Sequence, residues 1–232
     1  LLENTTDDNT AVGYNTLCAN TTGTRNTAMG SLALDTNTTA SDNTAFGYNA
    51  LTANITGLQN TAVGSLALDS STLASNNVAI GYSSLTANTT GARNVALGAF
   101  SLQLATSASD NTAIGFGSLS TNVTGTRNVA VGSLTLQENT TDDNTAVGYN
   151  TLCATTTGIQ NTAVGSLALD SNTTASNNTG IGYSALTANL TGTRNVALGA
   201  FSLQLATTAS DNTAIGFGSL STNVTGTRNV AV

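Results

Sequence analysis

Apolar residues follow one order along the chain, and the order returns every 17 residues. Each return opens with an asparagine: Asn9, Asn26, Asn43, Asn60, Asn77, Asn94, Asn111, Asn128, Asn144, Asn161, Asn178, Asn195, Asn212 and Asn229, with a single 16-residue step from Asn128 to Asn144. With that asparagine as position 1, position 3 is Ala except at Gly180. Position 4 is always apolar (Val12, Met29, Phe46 and onward to Val232), and position 9 is Leu from Leu17 to Leu220. Position 5 is always glycine: Gly13, Gly30, Gly47, Gly64, Gly81, Gly98, Gly115, Gly132, Gly148, Gly165, Gly182, Gly199 and Gly216. Positions 12 to 15 read Asn-x-Thr-Gly or a relative of it. A glycine in every unit, abundant Thr and Val, and no 3.6-residue period exclude helix. The pattern predicts two short strands per coil, at positions 1–4 and 6–9. A turn at the position 5 glycine and a longer polar turn near positions 11–17 complete the coil.

So small a coil cannot bury its apolar side chains alone, but stacked coils can, with parallel strands ~4.8 Å apart. The sequence therefore predicts an all-β, parallel β-solenoid, one continuous repeat segment over residues 1–232. On the same spacing its rod would be about 60 Å long.

A second rhythm makes the unit a pair of coils, 34 residues. Alternate coils carry an aromatic at position 6 (Tyr14, Tyr48, Tyr82, Phe116, Tyr149, Tyr183, Phe217). The coils between them carry Leu32, Leu66, Phe100, Leu134, Leu167 and Phe201 at position 7. Above this lies a 135-residue copy, which divides the chain into 1–135 and 136–232: Glu3 to Asp8 recurs as Glu138 to Asp143, and Cys18 recurs as Cys153. The residue just before each asparagine alternates in matched pairs: Arg25 with Asp42, Arg93 with Asp110, Arg127 with Asp143, Arg194 with Asp211, Gln59 with Asn76 and Gln160 with Asn177. Arg always precedes Asp, and Gln always precedes Asn. Contact between adjacent coils, as charge or amide pairs, accounts for this; duplication of a 34-residue unit without contact is the alternative.

Composition narrows the function. Charged residues are 7%, and the net charge of −7 from 12 acids against five Arg argues against nucleic acid as a partner. No apolar run approaches the ~20 residues of a membrane helix, so no membrane contact is expected in this segment. The chain starts and stops inside repeats without an initiator Met, and it reads as part of a longer protein. With no His in the chain, Ser-His-Asp and Cys-His chemistry are excluded, and an enzyme is not expected. Cys18 and Cys153 share a coil position eight coils apart, roughly 38 Å by strand spacing, and cannot pair within the chain. The doublets Asp7-Asp8 and Asp142-Asp143 read as solvated turn carboxylates, with ion binding the lesser reading. Asn-x-Thr sequons at Asn20, Asn37, Asn54, Asn88, Asn122, Asn139, Asn172, Asn189 and Asn223 all fall at position 12, which points to turn chemistry. Glycosylation there requires a producer with that machinery. No cofactor, metal or phosphate-loop motif is found.

At Asn-Thr-Ala-Val-Gly (Asn60 to Gly64) the chain resembles the head repeats of trimeric autotransporter adhesins. It is still more similar to Asn-Thr-Ala-x-Gly repeats in the shafts of bacteriophage tail fibres and other microbial surface fibres. The resemblance covers essentially the whole chain. It implies a left-handed parallel β-roll, a homotrimer or filament, and a place on a cell or virion surface. The adhesin coil is shorter than 17 residues. Alternation along a strand gives a second argument. If Leu at position 9 and Ala at position 3 fill the interior, the position 4 stripe faces outward and calls for association. If the stripe faces inward, a monomeric solenoid suffices. The expected function is a rigid structural segment of an extracellular or virion fibre. The alternative is a binding surface made by the repeats themselves, for a receptor, a glycan or ice. Val at position 2 (Val78, Val95, Val129, Val196, Val230) interrupts the Thr row that ice would need.

Overall fold

The computed structural model describes residues 6–232, so Glu3 to Thr5 of the first acidic copy lie outside the described residues. The chain divides into two compact units, Leu1–Ile114 and Gly115–Val232. In the first, seven three-residue strands run β1 (Thr10–Val12), β2 (Thr27–Met29), β3 (Thr44–Phe46), β4 (Thr61–Val63), β5 (Val78–Ile80), β6 (Val95–Leu97) and β7 (Thr112–Ile114). Each pairs in parallel with the next in chain order, position for position, as Thr44, Ala45 and Phe46 do with Thr61, Ala62 and Val63. The second unit repeats this with β8 (Val129–Val131), β9 (Thr145–Val147), β10 (Thr162–Val164), β11 (Thr179–Ile181), β12 (Val196–Leu198), β13 (Thr213–Ile215) and β14 (Val230–Ala231). Each unit is a parallel β-solenoid with one 17-residue coil per turn, and no helix occurs among the described residues.

The strands cover positions 2 to 4 only. The second strand expected at positions 6–9 is replaced by two successive turns. In the coil that starts at Asn43, the Ala50 N–H donates to Gly47 O (3.4 Å) and the Asn54 N–H to Leu51 O (3.3 Å). Positions 7 and 9 have positive φ, 53° at Asn49 and 54° at Leu51. A left-handed residue breaks the pleat, so no strand can pass through it. Leucine in that conformation costs about 1–2 kcal/mol. Complete burial of Leu51 and its counterparts returns ~1.5–3 kcal/mol each, and so the position 9 leucine is held inside a bend that it disfavours.

Outside the strands the coils remain hydrogen-bonded to one another. Gly47 N–H donates to Met29 O in the preceding coil (2.9 Å), while Leu51 and Ala53 donate to Ala67 and Asp69 in the following one (2.9 and 3.0 Å). The core is narrow. It consists of Leu at position 9 with Ala or another small residue at positions 3, 8 and 15, as in Ala45, Ala50, Leu51 and Ala74.

The 16-residue coil keeps this core in place by losing a residue from its polar turn. Asn139 Nδ2 reaches Thr141 O two residues on (2.9 Å), where Asn54 Nδ2 reaches Gly57 O three residues on (3.0 Å). Leu136 remains fully buried in its rank.

Candidate functional site

Three features recur along each unit: two internal asparagine ladders, a row of side chains that ties coils in pairs, and an outward apolar face. The first ladder uses position 1. Asn60 Oδ1 accepts from the backbone N–H and the Nδ2 of Asn77 (3.0 and 3.3 Å). Asn60 Nδ2 donates to Ala74 O (2.8 Å) and bonds in turn to Asn43 Oδ1 (3.3 Å). The second ladder uses position 12. Asn37 Nδ2 donates to Ala40 O (3.1 Å) and to Asn20 Oδ1 (2.8 Å). Most of these side chains are fully buried. Only a primary amide offers two donors and an acceptor on so short a stem. Where the residue changes, the ladder breaks: Ser71 Oγ and Asn54 Oδ1 are both buried without a hydrogen-bond partner, as is Asn189 Oδ1 beside Ala206.

The residues before the asparagines form the second feature. Arg25 Nε and Nη2 donate to the two carboxylate oxygens of Asp42 (2.5 and 2.9 Å), and Arg93 does the same to Asp110 (2.6 and 2.8 Å). In the second unit Arg127 holds Asp143 (2.6 and 3.0 Å), and Arg194 holds Asp211 (2.6 and 2.9 Å). Hydrogen bonds from these arginines hold the Asp42, Asp143 and Asp211 carboxyls below the ordinary range. The pairs lie exposed, where they fix register more than they stabilise. No side-chain hydrogen bond joins Gln59 to Asn76 or Gln160 to Asn177, so the amide pairs expected beside the charge pairs are not formed.

One position earlier, a serine that the sequence reading passed over caps a backbone amide of the preceding coil. Ser41 Oγ accepts from Thr24 N–H (3.0 Å), Ser75 Oγ from Leu58 N–H (3.0 Å) and Ser109 Oγ from Ala92 N–H (3.0 Å). Asp142 takes that role for Thr126 N–H (2.7 Å). The second acidic doublet is therefore spent on stacking, Asp142 on Thr126 and Asp143 on Arg127. Among the described residues no group of three metal-ligating side chains occurs.

The glycines of position 5 have φ between 113° and 142°. A Cβ on Gly64 would stand 2.5 Å from Gly81 O, so the coils approach too closely there for any side chain. Position 15 explains the Gly/Ala alternation in the same way. A Cβ on Gly91 would run into the Ala108 carbonyl and stand 2.5 Å from Asn88 Oδ1.

The third feature faces solvent. Ala at position 3 points inward with Leu at position 9, and the position 4 stripe points outward, with Val12 at 53%, Met29 at 50% and Leu198 at 45% exposure. Beside it the position 6 aromatics are exposed, Tyr14 at 73% and Tyr149 at 56%, and the apolar side chains at position 7 lie half-buried between them. Neighbouring rings meet edge to face, Tyr82 with Phe100 at 5.3 Å and Tyr183 with Phe201 at 5.3 Å. Apolar side chains at positions 4, 6 and 7 thus line one side of each unit.

Reactive groups are few. Cys18 and Cys153 are free and half-buried; burial, with Asp170 and Glu138 nearby, pushes the Cys153 thiol up to about 11. The described residues enclose no pocket, and no helix among them is long and apolar enough to cross a membrane.

These features define a β-solenoid repeat protein. No family model matches the chain, and neither the curated proteins nor the solved structures provide a match.

Proposed function

We propose that the chain is a structural segment of an extracellular or virion fibre, a stiff spacer whose outward apolar face packs against further copies of itself. The observation that carries this reading is the unbroken run of exposed apolar side chains at position 4, flanked in alternate coils by an exposed aromatic. Contiguous apolar surface on that scale marks an association site on a soluble chain. Stiffness follows from the coil-to-coil hydrogen bonds, which involve turn residues as well as strands, and from the amide ladders inside. The similarity of Asn60 to Gly64 and its copies to adhesin-head and tail-fibre repeats supports a homotrimer on a cell or virion surface. Its role would be mechanical: to hold a terminal module away from that surface.

The test separates the face from the core. Met29→Glu with Ile80→Glu changes only outward side chains, so circular dichroism should keep the wild-type β signal while the particle mass falls to that of one chain. Electron microscopy of the unaltered protein should show uniform filaments or rods. Compact monomeric particles for the unaltered protein would refute the reading.

A further inference from the structure

Ten Asn-x-Ser/Thr sequons have their asparagine among the described residues: nine at position 12 and one at Asn177, in Asn177-Asn178-Thr179. Their surroundings differ sharply. Asn20, Asn37, Asn54, Asn88, Asn122, Asn139, Asn172 and Asn189 are 0% exposed, and Asn223 in the last coil is half-buried. Asn177 sits before a coil asparagine, on the exposed rim.

An N-linked glycan attaches at Nδ2 and replaces one of its two hydrogens. Within the ladder both hydrogens are in use. Asn54 Nδ2 donates to Gly57 O and Asn37 Oδ1 (3.0 Å each), and Asn189 Nδ2 donates to Gly192 O and Asn172 Oδ1 (3.0 Å each). A sugar on that nitrogen would take a donor from the ladder. It would also have to occupy space filled by the neighbouring coils, where even a Cβ on Gly57 would lie in contact with Asn54 Oδ1. The transfer acts on unfolded sequons, and the unfolded chain presents all of them.

We infer that N-linked glycosylation at position 12 and this fold exclude each other, so the chain folds in a compartment where no oligosaccharide is transferred to its sequons. Asn177 is the described site at which a glycan and the solenoid are compatible. For a fibre, this places assembly in a cytoplasm or an envelope without that transfer, and not in a eukaryotic secretory pathway. The inference rests on the buried ladder alone and is independent of self-association.

The experiment expresses the 232-residue chain in a bacterial cytoplasm and through a eukaryotic secretory pathway, the latter with and without an inhibitor of oligosaccharide transfer. Site occupancy is read by mass spectrometry, and folding by circular dichroism and protease resistance. The bacterial product should be folded. The secreted product should carry glycans at position 12 and be protease-sensitive or retained, and the inhibitor should restore it. A variant that removes sequons at their exposed threonines (Thr22, Thr39, Thr56, Thr90, Thr174 and Thr191, each to Val) leaves the buried asparagines intact and should recover folded secretion in proportion to the sites removed. Asn177→Gln should change occupancy by one glycan and folding not at all. A glycan on Asn54 or Asn88 of a protease-resistant solenoid would overturn the exclusion. Efficient secretion of a folded chain with these sequons empty would overturn the conclusion about the compartment.

Discussion

Replacing Asn60 by alanine removes one rung of the position 1 ladder without touching the apolar core. In the native coil Asn60 is 1% exposed. Its Oδ1 satisfies the Asn77 backbone N–H at 3.0 Å, and its Nδ2 satisfies the Ala74 carbonyl at 2.8 Å. Alanine leaves both groups buried without that partner, and each orphaned group costs about 1–3 kcal/mol. The expected loss is therefore roughly 2–6 kcal/mol, comparable to deleting a core leucine side chain. Thr56→Ala, on the exposed polar turn of the preceding coil, supplies the control and should lie within about 0.5 kcal/mol of wild type. Urea denaturation followed by circular dichroism measures the difference. Hydrogen exchange at the Asn77 amide locates it, because stacked repeats can open locally. Asn60→Asp sharpens the test: it keeps the acceptor, loses both donors and buries a charge, so it should be at least as damaging at neutral pH and partly relieved in acid. A loss below about 1 kcal/mol for Asn60→Ala, with Asn77 protection unchanged, would refute the view that the amide ladder holds the coils together.

Three further outcomes follow from the same geometry. Ser71→Asn restores an amide opposite the unpartnered Asn54 Oδ1 and should raise stability by about 1 kcal/mol in the same denaturation assay. Burial holds the Asp69 carboxyl above the ordinary range. A raised carboxyl contributes stability that is complete below the unfolded pKa, about 4, and is lost as pH rises through the folded value. Asp69→Asn should therefore stabilise the protein at pH 7 and make no difference at pH 3, read from denaturation midpoints at the two values. With its pKa near 11, the Cys153 thiol should alkylate slowly at pH 7 and progressively faster toward pH 11 while the fold holds. Fast labelling at neutral pH, followed by peptide mapping, would contradict the burial described for it.

Period, coil length and fold class were legible because they depend on spacing. Glycine at position 5 and leucine at position 9 recur without exception, and only stacked coils use such a pattern. The turns at positions 6–11 were not legible. Leu51 and Asn49 are ordinary strand and turn residues in composition, and nothing local announces a left-handed leucine; burial in the stack overrides its preference. The Arg–Asp alternation was visible as matched sequence positions, while the Gln–Asn positions share that alternation without the bond. The asparagines were seen as punctuation. Their invariance carried the missed signal, because a turn tolerates Asp, Ser or Gly equally well, whereas a ladder that must donate and accept at every step does not. Serine at position 16 was overlooked for a similar reason. Its role depends on an amide one coil away, Ser41 for Thr24 and Ser75 for Leu58. The direction of the position 4 stripe was left open by alternation alone, and burial of Ala45 and Leu51 on the other side places Phe46 outward.

Self-association through that stripe is the claim on which the functional account turns, and the absolute mass of the unaltered 232-residue chain, measured by light scattering across a dilution series, tests it most directly. The account predicts a discrete multiple of the chain mass, three for the trimer, that persists on dilution and collapses to one chain in the Met29→Glu, Ile80→Glu variant. A mass of one chain at every concentration, with the solenoid fold intact, would contradict it.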